Sequence, residues 1–298
     1  MGSFSNKKKP CPICGNPTPP LFVDAVEGTP ICKECSKKAD MPDGFRKGMS
    51  LEDFRQYIVF YEDNRTSRET FQETFQYNCS GYNDAVSLDI VHGLFRLKAN
   101  KDSLVLEASS LRSFRIREDD TILFESSPEG LKWYETNTID RAKAVQPLID
   151  QYKLEMQHYE QIKWMNERME EMEKQGKATP GYSAYIVEPS FDVAPPIERF
   201  YVELTLDHTY WGGVRTLEDR APDWGTFFPS VRNFMSRYNK KLDALHGLAG
   251  NLMNMIAPGA PEIKIPLSGS AGGAAKARLV TDPVEEIRKY KAHLLVMF

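Results

Sequence analysis

Four of the five cysteines in this 298-residue chain stand in two Cys-x-x-Cys pairs. The first pair is Cys11 and Cys14, followed by Gly15, and the second pair is Cys32 and Cys35. A two-residue gap lets both sulfurs of a pair point at one ion, and the seventeen residues between the pairs can bring the second pair round to complete a tetrahedron. The spacing therefore predicts a structural Zn²⁺ site with all four cysteines as ligands.

Other chemistries for these thiols fit the sequence less well. Iron is the main alternative metal for four thiolates. Two disulfides are less consistent with an intracellular chain, and a redox dithiol would use one pair beside a βαβ unit. Because four thiolates fill the tetrahedron, no position is left for a reactive water, and the metal is expected to fold the segment rather than to catalyse. We expect Cys79, which is unpaired, to be a small buried or half-buried residue rather than a nucleophile.

No pattern typical of catalysis accompanies the cysteines. The five histidines are scattered, none of them in an HExxH motif, and the sequence contains neither a phosphate-binding glycine loop nor a G-x-S-x-G elbow. Tyr210 and Trp211, which precede two glycines, could line a pocket, but such a cluster is more often a hydrophobic plug. We therefore expect a protein that is not an enzyme.

The composition excludes two broad functional classes. Hydrophobic residues make up 41% of the chain and charged residues 27%, with a net charge of −4. No apolar run approaches the roughly eighteen residues of a membrane span. A small acidic excess also argues against a chain that binds nucleic acid over its whole surface. Since the first residues carry no apolar secretory pattern, we expect a cytoplasmic location.

The chain divides by pattern into regions of an α+β protein. Residues 1–40 contain few large apolar side chains and form the predicted metal module. Residues 48–256 are predicted to be an antiparallel β domain, since short alternating segments are separated by polar turns. Apolar residues three or four apart predict a helical insertion at about 141–176, which would pack on its own domain or on a partner helix.

Serine residues and composition mark the remaining elements. Ser50 is predicted to cap a short helix, and Ser230 to cap a long helix that closes the β domain. Residues 257–281, rich in Gly, Ala and Pro, are predicted to be a flexible linker. Residues 282–298 are predicted to be a short amphipathic tail helix, with Pro283 at its first position.

The sequence resembles a group of uncharacterised bacterial proteins with three modules. The resemblance rests on CPICG at 11–15 and ICKECS at 31–36, on SLRSFRIREDDTILFE at 110–125 with the helix after Ser230, and on DPVEEIRKYKAHL at 282–294. It implies a zinc-ribbon or treble-clef segment, a pleckstrin-homology-like (PH-like) β domain and the first half of a SHOCT tail, a short C-terminal oligomerisation domain. It also implies a binding or scaffolding role.

We therefore expect a non-enzymatic zinc-binding adaptor or scaffold, with a protein partner or a second copy bound through helices at 144–174 and 283–296. One alternative is a nucleic-acid-associated regulator that uses the zinc module and Lys7–Lys9. Another is a peripheral membrane protein that binds lipid head groups through basic residues of the PH-like domain. Those residues would be Arg112, Arg115 and Arg117.

Overall fold

The computed structural model describes residues 9–19, 24–42, 44–81, 83–177, 184–225 and 228–267. The described residues up to Ile265 belong to one unit, and Pro266 begins a second. The predicted tail helix, most of the predicted linker, Lys7 and Lys8 lie outside the described residues. Within them, helices and mostly antiparallel strands are mixed, so the α+β class predicted from the sequence is confirmed.

The N-terminal segment combines a small hairpin with a short helix. Strand β1 (Ala25–Val26) pairs with β2 (Thr29–Pro30), and helix α1 (Lys33–Lys37) follows at once. Val26 and Ile31 are buried here beside three of the cysteines. Because so few apolar side chains are buried, hydrophobic packing alone does not hold the segment together.

Helix α2 (Leu51–Asp63) begins where the sequence predicts. The Ser50 hydroxyl accepts a hydrogen bond from the Asp53 N–H at 3.1 Å, and the Asp53 carboxylate accepts one from the Ser50 N–H at 3.0 Å. This reciprocal capping box satisfies two N–H groups at the start of the helix. A 3₁₀ turn (Phe45–Gly48) precedes α2, and α3 (Arg65–Thr70) follows it.

The first sheet is an antiparallel meander. Its strands, in spatial order, are β3 (Phe75–Asn78), β4 (Asp84–Asp89), β5 (Leu94–Lys98) and β6 (Leu106–Glu107). The sequence of β4 alternates between apolar and polar residues, but Ser87 and Asp89 are fully buried. Both have polar partners, because the Gln76 amide donates to Ser87 at 3.1 Å and the Gln72 N–H donates to Asp89 at 2.8 Å. Strand β4 can therefore be buried on both faces, because its polar side chains have hydrogen-bond partners.

The second sheet has strands from distant parts of the chain. They are β7 (Leu111–Glu118), β8 (Thr121–Ser127), β9 (Gly130–Tyr134), β10 (Arg199–Leu206), β11 (Gly213–Arg220) and β12 (Glu262–Ile265). Their spatial order is β11-β10-β7-β8-β9-β12, and all neighbours are antiparallel except β9 and β12.

Strand β12 differs from the sequence expectation, which assigns residues 257–281 to a flexible linker. Its backbone pairs in parallel with the edge of β9, and the Leu131 N–H donates to the Pro261 carbonyl at 2.9 Å. The Glu135 N–H likewise donates to the Ile265 carbonyl at 3.0 Å. Main-chain bonds of this kind leave little trace in composition, so the strand is not recognised from the sequence.

Helix α6 (Val231–Ile256) is the predicted closing helix. The Ser230 hydroxyl caps it by accepting a hydrogen bond from the Asn233 N–H at 3.3 Å. The helix packs against β3 of the first sheet and against β7, β8 and β9 of the second. At Gly247, the Phe75 ring lies 3.5 Å from the place that a Cβ would take. The apolar core therefore lies along α6, which connects the two sheets.

Two helices occupy the predicted insertion. They are α4 (Thr138–Ala144) and α5 (Gln146–Lys174), and they meet at Val145. Among the residues of α5, Ile149 is buried and the others are exposed or half-buried. Within the described residues, burial of α5 on its own domain is therefore limited to its first turns, and packing of the rest on a partner helix stays a prediction.

One side of α5 is covered by the chain that returns from it. The rings of Tyr152 and Phe191 lie 5.4 Å apart. The Asn166 side-chain amide donates to the Ala184 carbonyl at 2.8 Å and accepts from the Ala184 N–H at 3.0 Å. We call α5 together with residues 184–196 the arm.

Candidate metal centre

The first Cys-x-x-Cys pair lies in a tight turn. The Gly15 N–H donates to the Cys11 carbonyl at 2.9 Å, and the Cys11 N–H donates to the Asn16 carbonyl at 2.7 Å. Gly15 has a φ of 76°, in the left-handed region that glycine adopts without a steric penalty. The turn therefore holds Cys11 and Cys14 on one side of a knuckle, as their spacing predicts.

The second pair lies at the start of α1. Cys32 is the N-cap residue, and its sulfur accepts a hydrogen bond from the Cys35 N–H at 3.4 Å. The Ser36 N–H donates to the Cys32 carbonyl at 2.9 Å, which closes the first helical turn. The Cys35 N–H aimed at the Cys32 sulfur therefore holds the two cysteines of the second pair in one helical turn.

The two pairs converge on one point. The sulfur atoms of all four cysteines lie within 4.8 Å of one another, and those of Cys14 and Cys32 are 3.4 Å apart. Cys11, Cys32 and Cys35 are buried, whereas Cys14 is exposed. A tetrahedral zinc site with Zn–S bonds of about 2.3 Å would separate its sulfurs by about 3.8 Å. The observed cluster fits such a site without a large rearrangement.

The titration of the thiols shows how crowded the cluster is. Burial acts to raise the pKa of Cys11, but hydrogen bonds from the backbone N–H groups of Cys32 and Cys14 outweigh it and lower that pKa to about 7. Burial, the hydrogen bonds of Cys14 and Cys32 and the charge of Cys11 raise the pKa of Cys35. Ionisation of one cysteine thus disfavours ionisation of its neighbour, and a bound cation would let all four ionise.

Polar contacts attach the metal module to α2. The Glu27 carboxylate accepts a hydrogen bond from the Leu51 N–H at 3.1 Å, in the first turn of α2. The Arg55 guanidinium donates to the Pro12 carbonyl at 3.1 Å, inside the first knuckle. Lys38, just after α1, pairs with Glu62. Helix α2 therefore contacts both halves of the module.

Asp40 attaches the module to the β domain. Its carboxylate accepts hydrogen bonds from the Lys98 ammonium and from the Leu104 N–H, both at 2.6 Å. Its main-chain carbonyl accepts from the Tyr57 hydroxyl at 2.7 Å and from the Trp211 indole N–H at 3.0 Å. Asp40 is 8% exposed. We call Asp40 and these four donors the Asp40 joint.

The cluster at Tyr210 and Trp211 lies against α2. The Tyr210 ring lies 4.9 Å from Tyr57 and 5.0 Å from Phe60. Trp211 is 7% exposed and reaches the Asp40 joint. These residues therefore fill space between the module, α2 and the second sheet, as a hydrophobic plug does.

The basic residues considered for lipid binding all have acidic neighbours. Arg112 pairs with Asp207, Arg115 with Glu125 at 3.5 Å, and Arg117 with Glu203 at 2.8 Å. Because each guanidinium is matched by a carboxylate, these three residues do not concentrate positive charge. Lys9, the described member of Lys7–Lys9, is exposed.

Cys79 lies apart from the metal cluster. It is half-buried, and burial raises its pKa to about 12, with the charges of Asp219 and Asp84 acting in the same direction. A thiol with so high a pKa is a poor nucleophile at neutral pH. This environment agrees with the prediction of a small buried or half-buried residue.

Two buried carboxylates were not predicted from the sequence. Glu118, at the end of β7, accepts hydrogen bonds from the hydroxyls of Thr138 and Tyr238. Asp219, in β11, accepts from the Tyr77 hydroxyl at 2.5 Å and pairs with Lys241 of α6. In sequence, both are ordinary acidic residues of a strand, so only the fold distinguishes them.

None of the helices in the described residues is long and apolar enough to cross a membrane. In comparisons with protein-family models, with curated proteins and with solved structures, no match to the chain was found.

Proposed function

We propose that the chain is a non-enzymatic zinc-binding adaptor. A structural zinc ion would hold the N-terminal module, the Asp40 joint would fix that module on the β domain, and the arm would present a surface to another protein. The observation that carries the proposal is the convergence of four cysteine sulfurs within 4.8 Å. Four protein ligands fill a tetrahedral site and leave no position for a reacting water, so the metal would act in folding.

The module has the element order of a treble clef. A knuckle with Cys11 and Cys14 comes first, the β1-β2 hairpin follows, and the second pair of cysteines lies in the first turn of α1. A zinc ribbon would instead place the second pair in another knuckle. We therefore propose the treble-clef alternative, followed by a PH-like β domain. The support for the PH-like domain is a run of antiparallel strands closed by the long helix α6.

Charge pairing favours a protein partner over nucleic acid or lipid. In the module, Lys37 pairs with Glu34 at 3.2 Å and Lys38 pairs with Glu62. Arg112, Arg115 and Arg117 are paired as well, so phosphate groups would have to displace existing partners. In contrast, the arm exposes large apolar side chains, with Leu154 67% and Trp164 57% exposed. Aromatic residues on a surface are typical of protein interfaces.

Elemental analysis of the purified full-length chain tests the metal part. We expect one zinc per chain in the unaltered protein and a large loss of zinc in Cys35→Ser, which removes a buried ligand. The matched control is Cys79→Ser, which should keep its zinc. Iron in place of zinc would identify the alternative metal, and an absence of bound metal in the unaltered protein would refute the proposal.

Site-specific photo-crosslinking tests the adaptor part. A photoreactive residue at Gln161, on the exposed face of α5, should form adducts with protein in cells that express the full chain. The matched control is the same residue at Lys163, also exposed but on another face of the helix. If neither position gives a protein adduct, or if both give the same adducts, the arm is not a specific protein-binding surface.

A further inference from the structure

Six exposed residues form a regular row along α5. They are Asp150, Leu154, Gln157, Gln161, Trp164 and Arg168. Their spacing of four, three, four, three and four residues is that of the a and d positions of a heptad repeat. At about 100° per residue, all six lie within a sector of about 80°. We call this row the seam.

The seam lies on the side of α5 that the returning chain leaves open. The covered side carries Tyr152 and Asn166, which contact Phe191 and Ala184. Along the seam, the Arg168 guanidinium lies 5.2 Å from the centre of the Trp164 ring. A shallow depression of about 350 Å³ lies beside Trp164 at the middle of the seam. With 29 residues, α5 is about 44 Å long, enough for several turns of contact.

The order of residues in the seam is self-complementary when the helix direction is reversed. In an antiparallel pair of helices, each a position faces a d position of the partner helix. With Leu154, Gln161 and Arg168 at a, Leu154 faces the partner's Trp164, Gln157 faces the partner's Gln161, and Asp150 faces the partner's Arg168. An apolar residue thus meets an apolar one, an amide meets an amide, and an acid meets a base.

A parallel pair would not have this match. There, a faces a and d faces d, so Asp150 would face the partner's Asp150 and Arg168 would face the partner's Arg168. Like charges in contact are unfavourable and reject that arrangement. The seam therefore selects one relative direction.

Residues at the g positions beside the seam support the antiparallel pair with one exception. Lys153 faces the partner's Glu167, which gives an opposite-charge pair on each side of the two-fold axis. Glu160 faces the partner's Glu160 across that axis, so the two carboxylates repel each other. All three residues are exposed. The repulsion limits affinity and makes Glu160 a useful probe.

From this pattern we infer that the arm binds the arm of a second copy of this chain, as an antiparallel helix pair centred between Gln157 and Gln161. The inference rests on the proposed adaptor function, since it names the partner of the same surface. Two apolar contacts and two end pairs of charges make this a weak, reversible dimer whose strength falls with added salt.

Sedimentation of the full-length chain over a range of concentrations tests the inference. The unaltered chain should show a monomer–dimer equilibrium. Asp150→Arg alone and Arg168→Asp alone should each weaken the dimer at least tenfold, because each places like charges opposite one another. An equimolar mixture of these two variants should restore it, since each introduced charge would then face an opposite charge on the partner helix. Lys163→Glu, off the seam, should leave the dimer unchanged.

Glu160→Gln adds a measurement that only this alignment predicts, because removing the repulsion at the axis should tighten the dimer. A chain that stays monomeric, or a dimer that ignores the two charge reversals, overturns the inference. Circular dichroism of each variant checks that the helix is retained. If Gln161 crosslinks to other proteins while the chain is monomeric, the inference fails and the adaptor proposal survives. If it crosslinks to no protein, both fail.

Discussion

Asp40→Ala should weaken the attachment of the metal module to the β domain. The substitution removes the acceptor of the Leu104 N–H, and Leu104 is 3% exposed. An N–H left buried without a partner costs about 1–3 kcal/mol. The Lys98 side chain is 35% exposed and can turn to water, so its lost ion pair adds less than about 1 kcal/mol. We expect the free energy of unfolding to fall by about 3 kcal/mol.

Urea denaturation of the metal-loaded chain, followed by tryptophan fluorescence, measures this loss. Asp40→Asn keeps an oxygen for the Leu104 N–H and should lose only about 1 kcal/mol. Asp192→Ala removes an exposed acid outside the joint and should change stability by less than about 0.5 kcal/mol. A loss at Asp40→Ala no greater than that at Asp192→Ala would refute the reasoning, because the joint would then contribute nothing to stability.

Three further predictions concern protons and metal. Burial raises the pKa of Glu118 above 4.5 although the Tyr238 hydroxyl donates to it. The folded chain therefore holds the proton longer than the unfolded chain, and stability falls as pH rises above about 4.5. In urea unfolding, Glu118→Gln should lose less stability between pH 5 and 8 than the unaltered chain. Burial lowers the pKa of His208 from 6.5, so the unfolded chain binds the proton first and stability falls as pH drops below that value. The His208 Nδ1 accepts hydrogen bonds from the N–H groups of Tyr210 and Trp211. His208→Asn, which keeps an acceptor, should show less loss of stability between pH 7 and 5 in the same assay, and an equal loss would contradict the assignment. Chelation of the metal should remove hydrogen-exchange protection from residues 9–19 and 24–38 and leave it in 231–256, whereas equal loss in all of them would show that they unfold together.

The metal cluster could be predicted from the sequence because its signal is local. The first Cys-x-x-Cys pair specifies a knuckle in which Gly15 takes the positive φ, and the second pair specifies the first turn of a helix. The caps at Ser50 and Ser230 are equally local, since each hydroxyl bonds an N–H three residues later. Within such short stretches the residue type decides the backbone conformation.

Contacts between distant elements could not be predicted in this way. Asp40 is 64 residues from Leu104, and the carboxylate of Asp219 is 142 residues from the Tyr77 hydroxyl. Aspartate usually lies at the surface of a protein. The sequence gives no sign of the distant donors that contact Asp40 and Asp219 in the fold. Strand β11 could not be predicted for the same reason. Most of its residues are polar, and its position is set by pairing with β10.

The Asp40 joint gives the metal an influence beyond the segment that it would fold. Asp40 lies five residues after Cys35, so the second pair of cysteines sets where its carboxylate and carbonyl lie. Those oxygens accept hydrogen bonds from α2, from β5, from the segment before β6 and from Trp211. A small module with few apolar side chains can therefore hold four separate parts of the fold, provided that its sulfurs stay together. Metal binding would then stabilise contacts of the β domain that are distant in sequence from every ligand. In the proposed adaptor, the metal would fix the shape of the fold in this way.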